Sequence, residues 1–377
     1  MKIKHLDYFV VLIVSLLLIL GLSFLATISA PASMNRFGTT NHYWIHQFIY
    51  GILPGLFLCL VAFIVPLSFT KKMGPLLMLG NIIALVLVFL PALGVSFWGA
   101  SRWLSIGGIS FQPSEFIKIF SIIYLASWLR NRLQPTNRML PTANSSGRRG
   151  LTKIFIPFCV FLMVIGLIFF FQKDATTLFI VGATSIAIYF ASGVPKWQVL
   201  LIIFMTILVF ALLIVQEPYR FSRITTMFNP NDDPQGKGFQ ITQALIAVGS
   251  GGLGGKGLGM SSQKFGSLPQ SMSDSTFAVY AEETGFVGCS ILISLFLMLL
   301  WAGFAIARRA DDKFYQLVAL GVTFWILFQG FVNISSMIGL FPISGVPLPF
   351  ISYGGSHLIA ELIGIGLLLN IARHSKD

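Results

Sequence analysis

The amino-acid sequence predicts an all-α polytopic membrane protein with about ten transmembrane helices, both termini cytoplasmic, and one large extracytoplasmic loop. Three observations carry this reading. Hydrophobic residues make up 55% of the 377 and charged residues only 10%, where a soluble domain carries about a quarter charged residues. Apolar runs long enough for a bilayer helix of roughly 20 residues recur along the chain. The regular alternation of barrel strands is absent from the sequence, so the spans are helices, which satisfy their own backbone groups in lipid.

The runs fall near 8–30, 47–69, 75–97, 113–130, 154–172, 175–193, 197–215, 284–306, 316–338 and 351–371. The first is too long and too well continued for a cleaved signal peptide. The fourth opens on Pro113, suited to the first helical position, with Gln112 as its cap and Glu115 in the first turn. Between the fourth and fifth lies a basic loop, 130–153, with Pro135 and Pro141. Between the seventh and eighth lies the one long polar stretch, 216–275, in which Phe239 to Val248 reads as a short amphipathic helix. No soluble domain stands apart, so residues 1–377 form a single membrane domain. Cys59, Cys159 and Cys289 each fall inside a span, so no disulfide framework is indicated. With the N-terminus inside, 16 of the 25 lysines and arginines collect on inner segments, which sets the orientation and places the long loop outside. The net charge of +12 is this topological signal together with contact to anionic membrane lipid. It gives no reason to invoke nucleic acid.

Water-facing chemistry belongs in the long loop. There Asp274 stands in Ser-Asp-Ser-Thr-Phe before a new apolar run, where it can cap the next helix or serve a reaction. Arg220 and Arg223 are spaced to share a helix face, suited to a pyrophosphate or to lipid headgroups. The stretch Gly249 to Gly259 contains matches to G-x-G-x-x-G, but no strand precedes them and a nucleotide site is not supported. Flexible backbone close to a substrate, with Lys256 and Lys264 nearby, fits it better. Glu115 and Lys118 lie on one helix face, either as a self-neutralising pair or as a functional pair facing the bundle. His42 and His46 have the spacing of a metal pair, yet Tyr43 and Trp44 between them favour an interfacial aromatic belt. Residues 339–356 are too broken for a helix and mark a re-entrant or cavity-lining element. Glu361, inside the last span, needs a partner.

In this order the motifs resemble the SEDS family, the FtsW, RodA and SpoVE proteins of bacterial wall synthesis. The resemblance covers essentially the whole chain. It rests on Arg102-Trp-Leu, Gln112-Pro-Ser-Glu-Phe-Ile-Lys118, Gly257-Leu-Gly-Met-Ser-Ser-Gln-Lys264, Asp274 to Phe277, Ala281-Glu-Glu-Thr-Gly285 and Pro347-Leu-Pro-Phe-Ile-Ser-Tyr-Gly-Gly-Ser356. Three positions depart from the family pattern: Lys173-Asp174-Ala175 where relatives have Pro-Asp-Leu/Phe-Gly, Ser344 before Gly345, and His357.

The resemblance implies a peptidoglycan glycosyltransferase that polymerises lipid II into glycan strands at the outer face of the bacterial cytoplasmic membrane, in division or cell-shape maintenance. It makes Asp274 the catalytic residue and implies a divalent cation, Mg or Mn, with no organic cofactor and no declared metal ligands. It implies a class B penicillin-binding protein as partner, besides lipid II and the growing glycan. Arg102, Glu115, Lys118, Arg220, Arg223, Lys256, Lys264, Ser352, Tyr353 and Ser356 become the substrate-binding candidates. One inverting displacement needs one base and cations for the leaving pyrophosphate, unlike the paired carboxylates of a glycosidase. A capping carboxylate has its pKa lowered by the helix dipole, opposite to what a base wants, so Asp274 acts either as base or as a metal-orienting group. The rival reading is a flippase for lipid-linked precursors, which the broken 339–356 element and the charges inside spans also suit.

Overall fold

In the computed structural model, described for residues 6–90, 93–97, 100–107, 109–133, 151–216, 225–228 and 238–374, helices dominate and the expected spans appear in order. They are α1 (Leu6–Phe37), α2 (His42–Gln47) continuing through a π-helical turn (Phe48–Ile52) into α3 (Leu53–Ile64), and α4 (Leu67–Leu87). After these come α5 (Pro113–Leu133), α6 (Ile156–Gln172), α7 (Ala175–Ala191) and α8 (Lys196–Gln216). The short α9 (Phe239–Ser250) precedes α10 (Thr276–Arg309), α11 (Lys313–Met337) and α12 (Gly355–His374). Seven helices among the described residues are long and apolar enough to cross a membrane. Of the other predicted spans, α7 is a shorter apolar helix, α8 is apolar over Lys196–Leu208, and α5 carries Glu115 and Lys118 buried in its first two turns.

The bound of one predicted span needs correction. The run expected to be helical over 75–97 leaves the helix at Leu87, and the chain forms a three-stranded antiparallel sheet, β1 (Gly94–Phe97), β2 (Ala100–Ile106) and β3 (Ile109–Phe111). Val95 pairs with Trp103, and Leu104 with Phe111. The reason lies at Gly94, where a Cβ would stand 1.9 Å from the Val88 carbonyl oxygen. The chain doubles back there on bare backbone, and a continuous apolar run cannot by itself separate a strand from a helix. The basic segment 130–153 lies, from 134 to 150, outside the described residues.

By its contacts the chain divides into two compact units. One comprises Met1–Cys59, Leu208–Gly303 and Ile326–Leu362; the other comprises Leu60–Ile207, Phe304–Trp325 and Ile363–Asp377. In the second unit, Met78 and Leu85 of α4, Ile117 of α5, Ile165 and Phe169 of α6 and Val181 of α7 form one buried cluster. Buried amides complete it: Asn81 donates to the Pro113 carbonyl at 3.1 Å and Gln172 to that of Leu85 at 2.9 Å. Asp174 caps α7 by accepting from the Thr177 N–H at 3.2 Å and its hydroxyl at 2.9 Å. Asp312, before α11, accepts the Arg130 guanidinium through both oxygens, at 2.8 and 3.3 Å. Burial opposes its charge, but the Phe314 N–H and the Arg130 guanidinium hold its carboxyl below the ordinary range. That stabilisation is present at neutral pH and fades as pH falls through the carboxylate range.

The end of α3 shows how a proline in this environment recruits a partner. The Ala62 carbonyl would normally accept from the N–H four residues on, but that residue is Pro66, which has none. Asn370 of α12 supplies the missing donor, reaching Ala62 O at 2.9 Å and Val65 O at 2.7 Å. Asn370→Leu orphans both carbonyls in a buried setting, at a cost of about 1–3 kcal/mol each. The expected outcome is a lower unfolding temperature in detergent with the helix content of the folded protein unchanged, checked by circular dichroism melts.

Candidate functional site

The first unit is organised around an interruption in α10. Gly285 has φ 65° and ψ −163°, so the helix is broken there into two pieces. A break leaves backbone groups without helical partners, and away from water they must be satisfied elsewhere. The Gly-rich stretch after α9 does this. Lys256 N–H donates to Glu282 O at 2.9 Å and Gly257 N–H to Glu283 O at 3.0 Å, while Phe286 N–H reaches Gly252 O at 2.9 Å and Val287 N–H reaches Leu253 O at 3.1 Å. The approach is backbone to backbone: a Cβ on Gly285 would lie 2.3 Å from the Gly255 nitrogen, and one on Gly255 would lie 2.2 Å from the Glu283 carbonyl oxygen. The glycines of this stretch thus serve close packing rather than nucleotide binding.

The same contact buries two adjacent carboxylates. Glu282 and Glu283 are 0% and 1% exposed. Glu282 accepts from Lys256 Nζ at 2.6 Å, from the Ser262 hydroxyl at 2.9 Å and from the Ser261 hydroxyl. Glu283 accepts from Gly259 N–H at 2.9 Å, Ser261 N–H at 3.3 Å and Lys264 Nζ at 3.4 Å, and Lys264 also donates to Gly259 O. The two lysines suggested for a pyrophosphate therefore each hold a glutamate. Lys264 is enclosed, whereas Lys256 remains about a third exposed, with 38% of its side chain open. Sequence reasoning noted Glu282 and Glu283 within the motif Ala281-Glu-Glu-Thr-Gly285 and missed this pairing. Its signal was the count of two cations and two adjacent acids flanking one glycine cluster.

Asp274 lies in the turn that leads into α10. The helix begins at Thr276, so Ser275 takes the capping position and Asp274 precedes it, half-buried. The turn is bonded to the broken segment after α11. Tyr353 N–H donates to Met272 O at 2.8 Å, and the Ser352 hydroxyl donates to Ser273 O at 2.5 Å while accepting from Leu348 N–H at 2.9 Å. Asn333 Nδ2 donates to the Asp274 carbonyl at 2.8 Å. Gly345, at φ 67°, passes so close that a Cβ there would be 3.5 Å from Asp274 Oδ2. Of the candidates in this segment, Ser352 and Tyr353 are joined to the Asp274 turn, and Ser356 is buried in the first turn of α12.

Tyr353 also bonds His46 Nδ1 through its hydroxyl at 2.9 Å. His42 and His46 stand in an aromatic group with Phe37, Tyr43 and Tyr50. No group of three or more His, Cys, Asp or Glu side chains that could hold a metal occurs among the described residues.

Three other candidates lie in the second unit. Glu115 and Lys118 form a buried pair at 2.7 Å, and the ammonium sits 5.7 Å from the Trp325 ring. Arg102, on β2, donates to Lys173 O at 2.6 Å and stands 3.8 Å from Asp174 Oδ2. That pair crosses the very stretch where the sequence departs from the family pattern. Arg220 and Arg223 lie outside the described residues.

The sequence profile of a family described as "Cell cycle protein", which covers FtsW, RodA and SpoVE, matches residues 7–377. The chain belongs to the FtsW/RodA/SpoVE family. Among similar members, the probable peptidoglycan glycosyltransferase FtsW of Thiomicrospira cyclica is 37% identical over 375 residues, covering 98% of this chain and 92% of that protein. Stage V sporulation protein E of Bacillus subtilis is 36% identical over 373 residues, covering 98% of each. The fold agrees with solved members of this group. The rod shape determining protein RodA of Thermus thermophilus superposes with a TM-score of 0.68 at 24% identity, covering 98% of this chain and 97% of that one. A chain from a solved peptidoglycan synthase complex superposes with a TM-score of 0.75 at 23% identity, covering 97% and 96%.

The break in α10 makes a graded prediction. At φ 65° and ψ −163°, Gly285 occupies a region open essentially to glycine alone, and its Cβ would collide with backbone. Gly259, at φ 77°, would meet only side-chain atoms, at 3.8 Å and beyond. Gly285→Ala is expected to cost more than about 4 kcal/mol and to abolish a monodisperse folded species. Gly259→Ala is expected to cost about 1–2 kcal/mol, as read by size-exclusion yield and melting in detergent.

Proposed function

We infer that this chain is a peptidoglycan glycosyltransferase, polymerising lipid II into glycan strands, with Asp274 as its central group. The reading rests on one observation within the family context. The backbone around Asp274 is bonded to three separate points, Asn333, Ser352 and Tyr353, and the residue itself is half-buried. Elaborate immobilisation of a turn that carries one half-buried acid is what a positioned acid–base group requires. In the proposed reaction the acceptor sugar's hydroxyl attacks the donor's anomeric carbon as the bond to the lipid pyrophosphate breaks. Asp274 takes the hydroxyl proton, and the pyrophosphate departs as an anion without needing that proton. The configuration inverts in one displacement.

Negative charge on the departing pyrophosphate has to be met by cations. Lys256 is half-open and can contribute, although Glu282 already holds it. Arg220 and Arg223 remain candidates by their spacing, whereas Arg102 and Lys118 are engaged within the second unit by Lys173 and Glu115. A divalent ion, Mg or Mn, fits the donor set. Magnesium is commonly held by one or two carboxylates together with substrate phosphates rather than by a protein cage, and Asp274 with the pyrophosphate oxygens would offer that. When bound, the ion would neutralise charge developing on the leaving group.

By the Lys/Arg bias the reaction faces the exterior of the bacterial cytoplasmic membrane. A class B penicillin-binding protein is the partner we propose, because a glycan polymer needs separate crosslinking chemistry. The biological setting is division or cell-shape maintenance.

Purified protein with its transpeptidase partner, lipid II, a divalent salt and a crosslinking inhibitor provides the test. The wild type is expected to yield glycan ladders and Asp274→Asn none, with both proteins equally folded. Chelation should abolish the ladders, and added Mg or Mn should restore them. Ladders from Asp274→Asn at near-normal rate would remove the base role. Absence of ladders from both proteins, with lipid II crossing vesicle membranes, would favour the flippase.

A further inference from the structure

Behind the Asp274 turn stand three buried polar side chains with no place in the chemistry above. Asn333 and Gln329 are one helical turn apart on α11, on one face, and Glu361 stands on α12. All are within 1% of complete burial. Asn333 Nδ2 donates to Asp274 O at 2.8 Å and to Val346 O at 2.7 Å. Both partners are carbonyls, which only accept, so the amide has one allowed orientation. Its Oδ1 is left buried without a hydrogen-bond partner. An orphaned acceptor costs about 1–3 kcal/mol, which a leucine of similar volume would avoid. The amide offsets that cost by fixing the carbonyl of Asp274 itself.

Gln329 repeats the arrangement four residues earlier, donating to Pro347 O at 3.1 Å and to Glu361 Oε1 at 3.1 Å. The other oxygen of Glu361 accepts the Phe350 N–H at 2.9 Å. Phe350 has φ 63°, a left-handed conformation unusual for a bulky residue and maintained only where surroundings over-determine it. That bend brings Ser352 round to Ser273 and Tyr353 to Met272. Glu361 holds the bend, Gln329 joins Glu361 to the segment, and Asn333 joins the segment to Asp274.

We propose that Glu361, Gln329 and Asn333 are positioning residues for Asp274, setting through backbone contacts where its carboxylate meets the acceptor hydroxyl. This rests on the glycosyltransferase reading. Glu361 does not itself exchange the proton, since it is enclosed and both of its oxygens already accept bonds.

The test is steady-state polymerisation of lipid II by the complex, with kcat, KM and the pH profile measured per folded molecule. Misplacement by about 1 Å costs on the order of 100-fold in rate. Asn333→Leu and Glu361→Leu are therefore expected to lose about that factor in kcat, with KM for lipid II changed by less than about threefold. Glu361→Gln keeps an acceptor for Phe350 N–H but sets its amide nitrogen against the Gln329 donor, so it should recover part of the rate, with the wild-type pH profile. If Asn333→Leu does not fold, Asn333→Ser retains one donor and should lose about tenfold in kcat, equivalent to about 1.4 kcal/mol.

Asn370→Leu serves as the control for stability alone, with lowered melting temperature and unchanged kcat. The proposal is overturned if Asn333→Leu and Glu361→Leu behave like Asn370→Leu, if KM rises with kcat intact, or if Glu361→Gln displaces a limb of the pH profile. Wild-type protein that makes no glycan would instead remove the glycosyltransferase reading on which the proposal stands.

Discussion

A helix interrupted where water is scarce must find new partners for its backbone, and in this chain Gly285 creates that demand. The Gly-rich stretch 251–257 meets it with four main-chain hydrogen bonds. Those bonds bring Lys256, Ser261, Ser262 and Lys264 onto the side chains of Glu282 and Glu283. Two adjacent carboxylates could not otherwise be buried, because an unpaired charge in low dielectric costs several kcal/mol. The backbone contact and the charge pairs thus require each other. Neither forms with a side chain at positions 255 or 285.

The same economy of donors recurs wherever the chain leaves regular helix. Asn370 answers for Pro66, Asn81 for the start of α5, Gln172 for the α4 carbonyl at Leu85, and Asn333 and Gln329 for the segment after α11. Except at Pro113, which opens α5, the buried amide donates to a carbonyl that lacks a helical partner. Amides suit this because they supply two donors without a charge. Charged pairs are kept for places where an acid must be buried, as with Glu115 and Lys118.

Function follows from rigidity applied to one half-buried group. The turn carrying Asp274 is fastened at its carbonyl and at both neighbouring carbonyls on its N-terminal side. A catalytic acid or base gains most when its geometry is settled before the substrate arrives. The segment from Val346 to Tyr353 supplies that settlement, and its own unusual bend at Phe350 depends on Glu361.

Much of this was legible in the linear sequence. Apolar runs of bilayer length specify the helices, because lipid permits little else. The Pro113 start, the short α9 and the isolated Asp274 before an apolar run follow from local rules of capping and periodicity. The partners of Glu282, Glu283, Glu361 and Asn333 were not legible, since they come from residues 11 to 59 positions away in the chain. Lys256 and Lys264 looked like free cations because sequence shows charge without showing what neutralises it. The sheet at 94–111 was hidden for a related reason: its first strand lies inside the apolar run 75–97, and the backbone approach at Gly94 separates that strand from the helix. Composition and periodicity determined that this chain crosses a membrane and where its polar chemistry gathers. Tertiary structure decided which charges remain available, because in a low dielectric pairing is settled by proximity in space.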